Sequence, residues 1–184
     1  MINLSIPDIK LFDNQLFHDE RGYFYENFNN RRFCNEIGHD INFVQDNISK
    51  SKKNVVRGLH FQISPMAQAK LISVIQGEIF DVAVDVRPES STFSKHVSVL
   101  LSSDSSQSLF IPTGFAHGFQ VLSEQAIVTY KTSEYYSKKH ERSIIWNDKD
   151  LDIHWPLQEA LVSDKDKTAD SFQHISEEIS LQKI

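Results

Sequence analysis

The sequence is poor in three things: cysteine, long apolar runs and positive charge. Cys34 is the single cysteine in 184 residues. It excludes an internal disulfide and lacks the partner spacing of a zinc site, so packing is its expected role and a reducing, cytoplasmic compartment fits. No apolar run reaches the roughly 18 residues of a membrane-spanning helix. Residues 1–10 lack the charged, apolar and small-residue zones of a secretory leader. With 19 Lys and Arg against 25 Asp and Glu the net charge is −6, and no dense basic face is visible. That balance excludes a nucleic-acid binder, because affinity for a phosphate backbone needs a basic stripe. Any phosphorylated ligand must therefore meet cations gathered locally. No internal repeat and no second domain are visible.

What is present is enough for one packed domain, residues 1–184, with 40% hydrophobic side chains. The clearest periodic signal spans residues 78–87, where Phe80, Val82, Val84 and Val86 fall on one side and Asp81, Ala83 and Asp85 on the other. A period of two predicts a strand. Shorter runs of the same kind lie at residues 55–61, 71–75, 97–101, 109–111, 119–122 and 126–132, several of them separated by turn signals such as Gln76-Gly77 and Pro112-Thr113-Gly114. Many short strands with few helical patterns predict a mainly β fold, an antiparallel jelly-roll barrel with a few short peripheral helices. Residues 31–37, closed by Gly38, read as one such helix. From Asp164 onward the chain turns polar; 176–181 carries only a weak helical pattern, and 167–184 reads as a polar tail.

Two segments carry candidate chemistry. In Arg57-Gly58-Leu59-His60-Phe61-Gln62, strand alternation sets His60 opposite Leu59 and Phe61. If the apolar pair packs one way, the imidazole faces the other, into a confined interior where a group of reference pKa near ~6.5 can accept a proton. The bland alternative is a structural histidine. In Pro112-Thr113-Gly114-Phe115-Ala116-His117-Gly118-Phe119 a tight turn flanked by strands presents His117. Its Pro-x-Gly-x-x-His spacing resembles the second cupin motif. Metal-dependent cupins add a His-x-His pair, because a transition metal needs several imidazole or carboxylate ligands together. Position 62 is Gln, so that cage is incomplete, and metal-free proton chemistry is expected.

Seven blocks in order make a family resemblance specific. They are Asp19-Glu20-Arg21-Gly22-Tyr23-Phe24-Tyr25-Glu26, Gln45-Asp46-Asn47, Val56-Arg57-Gly58-Leu59-His60, and Gln68-Ala69-Lys70-Leu71. Gly77-Glu78-Ile79-Phe80-Asp81-Val82, Gly114-Phe115-Ala116-His117-Gly118-Phe119 and Ser163-Asp164-Lys165-Asp166 continue the series. In this order they resemble the cupin-type epimerases of nucleotide-linked 4-keto-6-deoxysugars, the dTDP-4-dehydrorhamnose 3,5-epimerase family.

The resemblance implies an isomerase that inverts C3 and C5 of the keto-sugar without a redox cofactor or metal. It implies His60 as the base, Asp166 as the carboxylate that orients it, Tyr130 as the opposite-face acid, and Lys70 beside the C4 oxygen. His117 joins at that oxygen or on the sugar. Arg21 and Arg57 are implied for the diphosphate. Phe17, Phe24, Glu26, Gln45 and Asn47, with Tyr136, Glu141 and Lys165, are implied around base, ribose and diphosphate. It also implies a homodimer in which the N-terminal segment, with Phe24 and Glu26, reaches the neighbouring subunit's site. His96 stands where the family commonly has an aromatic, and the tail after Asp166 lacks a clear counterpart. The rival readings are a relative that inverts one centre or uses a GDP- or CDP-linked sugar, a metal-dependent cupin enzyme, and a non-catalytic sugar-binding cupin.

Overall fold

A computed structural model describes residues 2–182. The chain opens with β1 (Ile2–Asn3), β2 (Lys10–Asp13), β3 (Phe17–Asp19), β4 (Gly22–Phe24) and α1 (Asn30–Ile37). The central strands follow: β5 (Gln45–Lys52), β6 (Val55–Gln62), β7 (Lys70–Gln76), β8 (Glu78–Asp85), β9 (His96–Ser102), β10 (Gln107–Ile111), β11 (Phe115–Val121) and β12 (Gln125–Thr132). Last come β13 (Glu141–Ser143), β14 (Leu161–Val162), α2 (Asp164–Lys167) and α3 (Phe172–Gln182).

Among the described residues these strands build two six-stranded sheets and a separate two-stranded hairpin, β3–β4. The first sheet runs β1-β2-β10-β7-β12-β5, antiparallel throughout. The second runs β13-β6-β11-β8-β9, also antiparallel, with β14 added parallel to β6. From β5 to β8 and again from β9 to β13 the chain switches sheet at each step, which winds the two sheets into the jelly roll predicted from the strand pattern.

Side-chain alternation explains why the layers meet as they do. Ile72 and Val74 of β7 meet Ile79 and Ala83 of β8, with Phe115, Phe119 and Val128, in the core between the sheets. The opposite side of β8, carrying Val82 and Val84, packs outward with Leu59 and Phe61 of β6 against Phe172, Ile175 and Ile179. The acidic side of β8 is thus the inner one, where Asp81 and Asp85 are fully buried. Asp85 is compensated by Arg87, which donates to it from Nε at 2.9 Å and from Nη2 at 2.6 Å, and by the hydroxyls of Ser90 and Thr92.

Helix α1 covers the outside of the first sheet through Phe33, which sits among Phe12, Phe28, Phe43 and Phe110. Asn29 caps its first turn, and Gly38 closes it at φ 83°, a left-handed position that glycine takes without penalty. The partly buried Cys34 packs in the same cluster.

The reading of 167–184 as a polar tail needs correction, its last two residues lying outside the described ones. Residues 172–182 form α3, whose Phe172, Ile175 and Ile179 share one helical face and are buried on the second sheet. Three apolar residues among polar ones leave little signal in sequence; the sheet supplies the apolar surface that makes the helix stable. Strand β5 also escapes the pattern reading. Its inward side is Gln45, Asn47, Ser49 and Ser51, paired with Thr132, Tyr130, Val128 and Ala126 of β12, so no apolar alternation marks it.

Candidate active site

The inner face of the barrel receives its two histidines from neighbouring strands, His60 of β6 lying in register with His117 of β11. Glycines make that approach possible. A Cβ on Gly58, at φ 124°, would lie 2.5 Å from the Gly118 Cα, and one on Gly118 would lie 2.8 Å from the Arg57 carbonyl oxygen. The two backbones therefore touch beside the histidines, and the pairing shifts register between His117 and Phe119. His117 stands within β11 rather than beside the turn, because the strand begins at Phe115, directly after Gly114.

Each histidine holds a buried carboxylate. His60 Nε2 donates to Asp166 Oδ1 at 2.5 Å, and Asp166 is 3% exposed. Parallel pairing of β14 with Val55 and Val56 brings the following segment against β6, and Ser163 caps α2 by accepting from the Asp166 N–H. Burial would raise the Asp166 carboxyl, but hydrogen bonds from His60, Ser163 and the Gly58 N–H outweigh it and hold the group below its ordinary value. His117 Nε2 lies 2.9 Å from Oδ2 of Asp81, which was not among the residues singled out in sequence. Among the described residues no three His, Cys, Asp or Glu side chains gather where they could hold a metal ion. Gln62 is spent on backbone groups, donating to Met66 and Tyr135 carbonyls and accepting from Ser137 N–H.

The facing sheet supplies Lys70 and Tyr130. Lys70 is buried and donates from Nζ to the His60 carbonyl at 3.0 Å. Burial pulls its ammonium down to about 8, with the charges of Asp81 and Glu141 pulling it back up. Burial also raises the Tyr130 phenol; Arg57 opposes that shift and Glu141 adds to it.

His60, Lys70 and Tyr130 stand in the walls of two adjoining cavities of about 620 and 360 Å³. The larger adds Arg57, His117, Lys165 and Asp166; the smaller adds Gln45, Asn47, Tyr136 and Glu141. Arg57 is braced by Ser51, to which its Nε donates at 2.9 Å. Glu141 links the two cavities, accepting from Tyr136 Oη at 3.0 Å and pairing with Lys165 at 2.7 Å. Burial would raise the Glu141 carboxyl, yet those partners and the nearby His60 keep it below its ordinary value. The arrangement is a proton acceptor, a phenol and a buried cation around one space, with polar groups extending along it.

The family model described as dTDP-4-dehydrorhamnose 3,5-epimerase matches residues 3–174. Over 172 residues the chain is 51% identical to a dTDP-4-dehydrorhamnose 3,5-epimerase of Shigella flexneri, covering 94% of this chain and 95% of that relative. This chain belongs to the dTDP-4-dehydrorhamnose 3,5-epimerase family. A dTDP-6-deoxy-D-glucose-3,5-epimerase from Legionella pneumophila, solved with dTDP-4-keto-L-rhamnose, shares its fold at TM-score 0.93 and 45% identity, over 97% of this chain and 95% of that one. A 3'-monoepimerase from Streptomyces bikiniensis, solved with dTDP-quinovose, matches at TM-score 0.89 and 29% identity, over 100% and 98% of the two chains.

Of the residues that the 3,5-epimerase resemblance singles out, four stand apart from both cavities. Phe17, Arg21 and Phe24 lie on the β3–β4 hairpin, whose strands pair only with each other among the described residues. The Arg21 side chain is 90% exposed and paired with Asp19. Glu26 follows the hairpin and binds Asn29 and Arg32 beside α1. The inward polar stripe of β5 and the Asp81 carboxylate were the parts hardest to read. Alternation along β8 puts Asp81 on the side of Ala83, but nothing in the sequence says that this side faces His117.

Proposed function

We propose that this chain inverts C3 and C5 of a dTDP-linked 4-keto-6-deoxyglucose, giving the 4-keto-L-rhamnose nucleotide. The observation that carries the reading is the hydrogen-bonded His60–Asp166 pair, set on one sheet across from Tyr130 and Lys70 on the other, around a shared space. The C4 carbonyl acidifies both neighbouring carbons, because either carbanion delocalises onto the same oxygen. His60 takes the proton with the ring nitrogen that Asp166 does not hold, and Asp166 stabilises the imidazolium that results. The enolate oxygen is met by the Lys70 ammonium and by His117, in a buried setting where a charge acts strongly. Tyr130 returns a proton to the opposite face, and its phenolate is reprotonated from solvent. Protons alone are exchanged, so the chemistry needs no redox cofactor.

Arg57, braced by Ser51, is the cation we assign to the diphosphate, while Gln45, Asn47, Tyr136, Glu141 and Lys165 take the nucleoside end. We further propose a homodimer, with Phe17, Arg21, Phe24 and Glu26 completing the partner's site. Support comes from Phe17 and Phe24, 54% and 69% exposed on a hairpin whose strands have no other sheet to join among the described residues. The enzyme is read as cytosolic, with Cys34 a free thiol and no described helix long and apolar enough to cross a membrane.

The test is incubation with dTDP-4-keto-6-deoxyglucose in heavy water, followed by NMR of the product. Deuterium and inverted configuration are expected at both carbons. Label at C3 or C5 alone would make the enzyme a monoepimerase, a chemistry that the Streptomyces bikiniensis relative carries on the same fold. Label at neither would end the epimerase reading.

A further inference from the structure

Gln62 occupies the strand position where a metal-binding cupin would place a second imidazole, and its amide is fully engaged elsewhere. It is 4% exposed. Nε2 donates to the Met66 carbonyl at 2.6 Å and to the Tyr135 carbonyl at 3.1 Å. Oε1 accepts from the Ser137 N–H at 2.6 Å. Two carbonyls on one side and an N–H on the other leave a single consistent orientation of the amide. One side chain of β6 thereby ties down the backbone immediately before and after Tyr136. The N–H of Tyr136 itself donates to Gln45 Oε1 at 3.0 Å. The Tyr136 residue is 55% exposed, so packing does little to hold its ring; these backbone bonds set where the ring leaves the chain, and the 3.0 Å hydrogen bond from its hydroxyl to Glu141 fixes the far end at the cavity wall.

We propose that Gln62 is a positioning residue for substrate binding, preorganising the Tyr135–Ser137 segment so that the Tyr136 ring is presented to the nucleobase. The inference rests on the nucleotide reading given above. Ordering a loop before the ligand arrives removes an entropic cost from binding and leaves the chemical step alone. Loss of the clamp should therefore raise KM and spare kcat, and should affect only ligands that carry a base.

Two variants separate this role from a general one in the fold. Gln62→Glu keeps an acceptor for the Ser137 N–H but turns a carboxylate oxygen on two carbonyls; Gln62→Met keeps length without polarity. Each is tested with dTDP and with pyrophosphate as competing inhibitors of epimerisation. The expected result is a roughly tenfold weaker inhibition by dTDP, unchanged inhibition by pyrophosphate, and kcat within about twofold of wild type. Tyr136→Ala should weaken dTDP by a similar factor, and combining it with Gln62→Met should add little, because both remove the same contact. Equal weakening of dTDP and pyrophosphate, a fall in kcat at unchanged KM, or additive losses would overturn the proposal. So would failure of both Gln62 variants to fold, which would assign the amide to the barrel. A wild-type enzyme that dTDP does not inhibit would overturn the nucleotide reading, and this inference with it.

Discussion

Lys70 pairs a functional requirement with a stability cost in one side chain. The proposed mechanism places its ammonium at the C4 oxygen, yet burial lowers its pKa from 10.5 to about 8. At pH 7 roughly nine in ten molecules still carry the charge. Above pH 8 the amine is neutral, so kcat/KM should fall about tenfold per pH unit on that side, with the inflection near 8. Lys70→Arg, whose guanidinium stays charged, should be slower throughout but lose that alkaline limb. A profile flat to pH 10 in the wild type would remove Lys70 from the mechanism. Stability runs the other way. The folded amine binds fewer protons than the unfolded one between pH 8 and 10.5, so burying it costs stability below that window, and the cost disappears as pH rises through it. The role proposed for Lys70 came only through its motif, because nothing in Gln68-Ala69-Lys70-Leu71 by itself says that the lysine points inward.

Strands β6 and β11 depend on glycine at one point of contact. A methyl on Gly118 would lie 2.8 Å from the Arg57 carbonyl oxygen, 3.0 Å from Leu59 Cδ2 and 3.2 Å from the Gly58 Cα. Two of those neighbours are backbone and cannot turn away, so Gly118→Ala should cost about 1–3 kcal/mol in urea unfolding. Turnover should drop with it, since moving one strand misplaces His60 or His117. Gly38→Ala is the contrast. That Cβ meets nothing within 4 Å, but φ is +83°, so a cost of about 1–2 kcal/mol should come without loss of turnover in the folded enzyme. Equal effects of the two substitutions on turnover would show that strand contact does not govern the site. At this scale the alternating apolar strands were readable because period two is written in consecutive residues. Strand β5 was not, because its inward side is polar: Gln45, Asn47 and Ser49 line the two cavities and Ser51 braces Arg57. A strand that lines a binding site loses the apolar signal by which strands are recognised.

For the molecule as a whole, the exposed hairpin with Phe17, Tyr23 and Phe24 bears on assembly. Sedimentation should give a mass near twice the 21.2 kDa of one chain. Mixing His60→Ala protein with Phe24→Ala protein, after dissociation and reassociation, should restore activity well above that of either parent, because mixed dimers carry one site with neither lesion. Monomeric behaviour, or mixtures no more active than the sum of their parts, would confine each site to its own chain. By itself the sequence determined the family, the mainly β architecture and the identity of the candidate catalytic groups, since ordered motifs and alternation are local properties of the chain. Tertiary structure gives the geometry of the His60–Asp166 pair that the resemblance implies, and it alone decided the other meetings. Asp166 reaches His60 across 106 positions, the acidic side of β8 turns inward to give His117 its carboxylate, and the C-terminal stretch becomes a buried-face helix. Each of these depends on which faces of the sheets come together, and burial of that kind is set by the packing of distant segments rather than by any residue's neighbours in sequence.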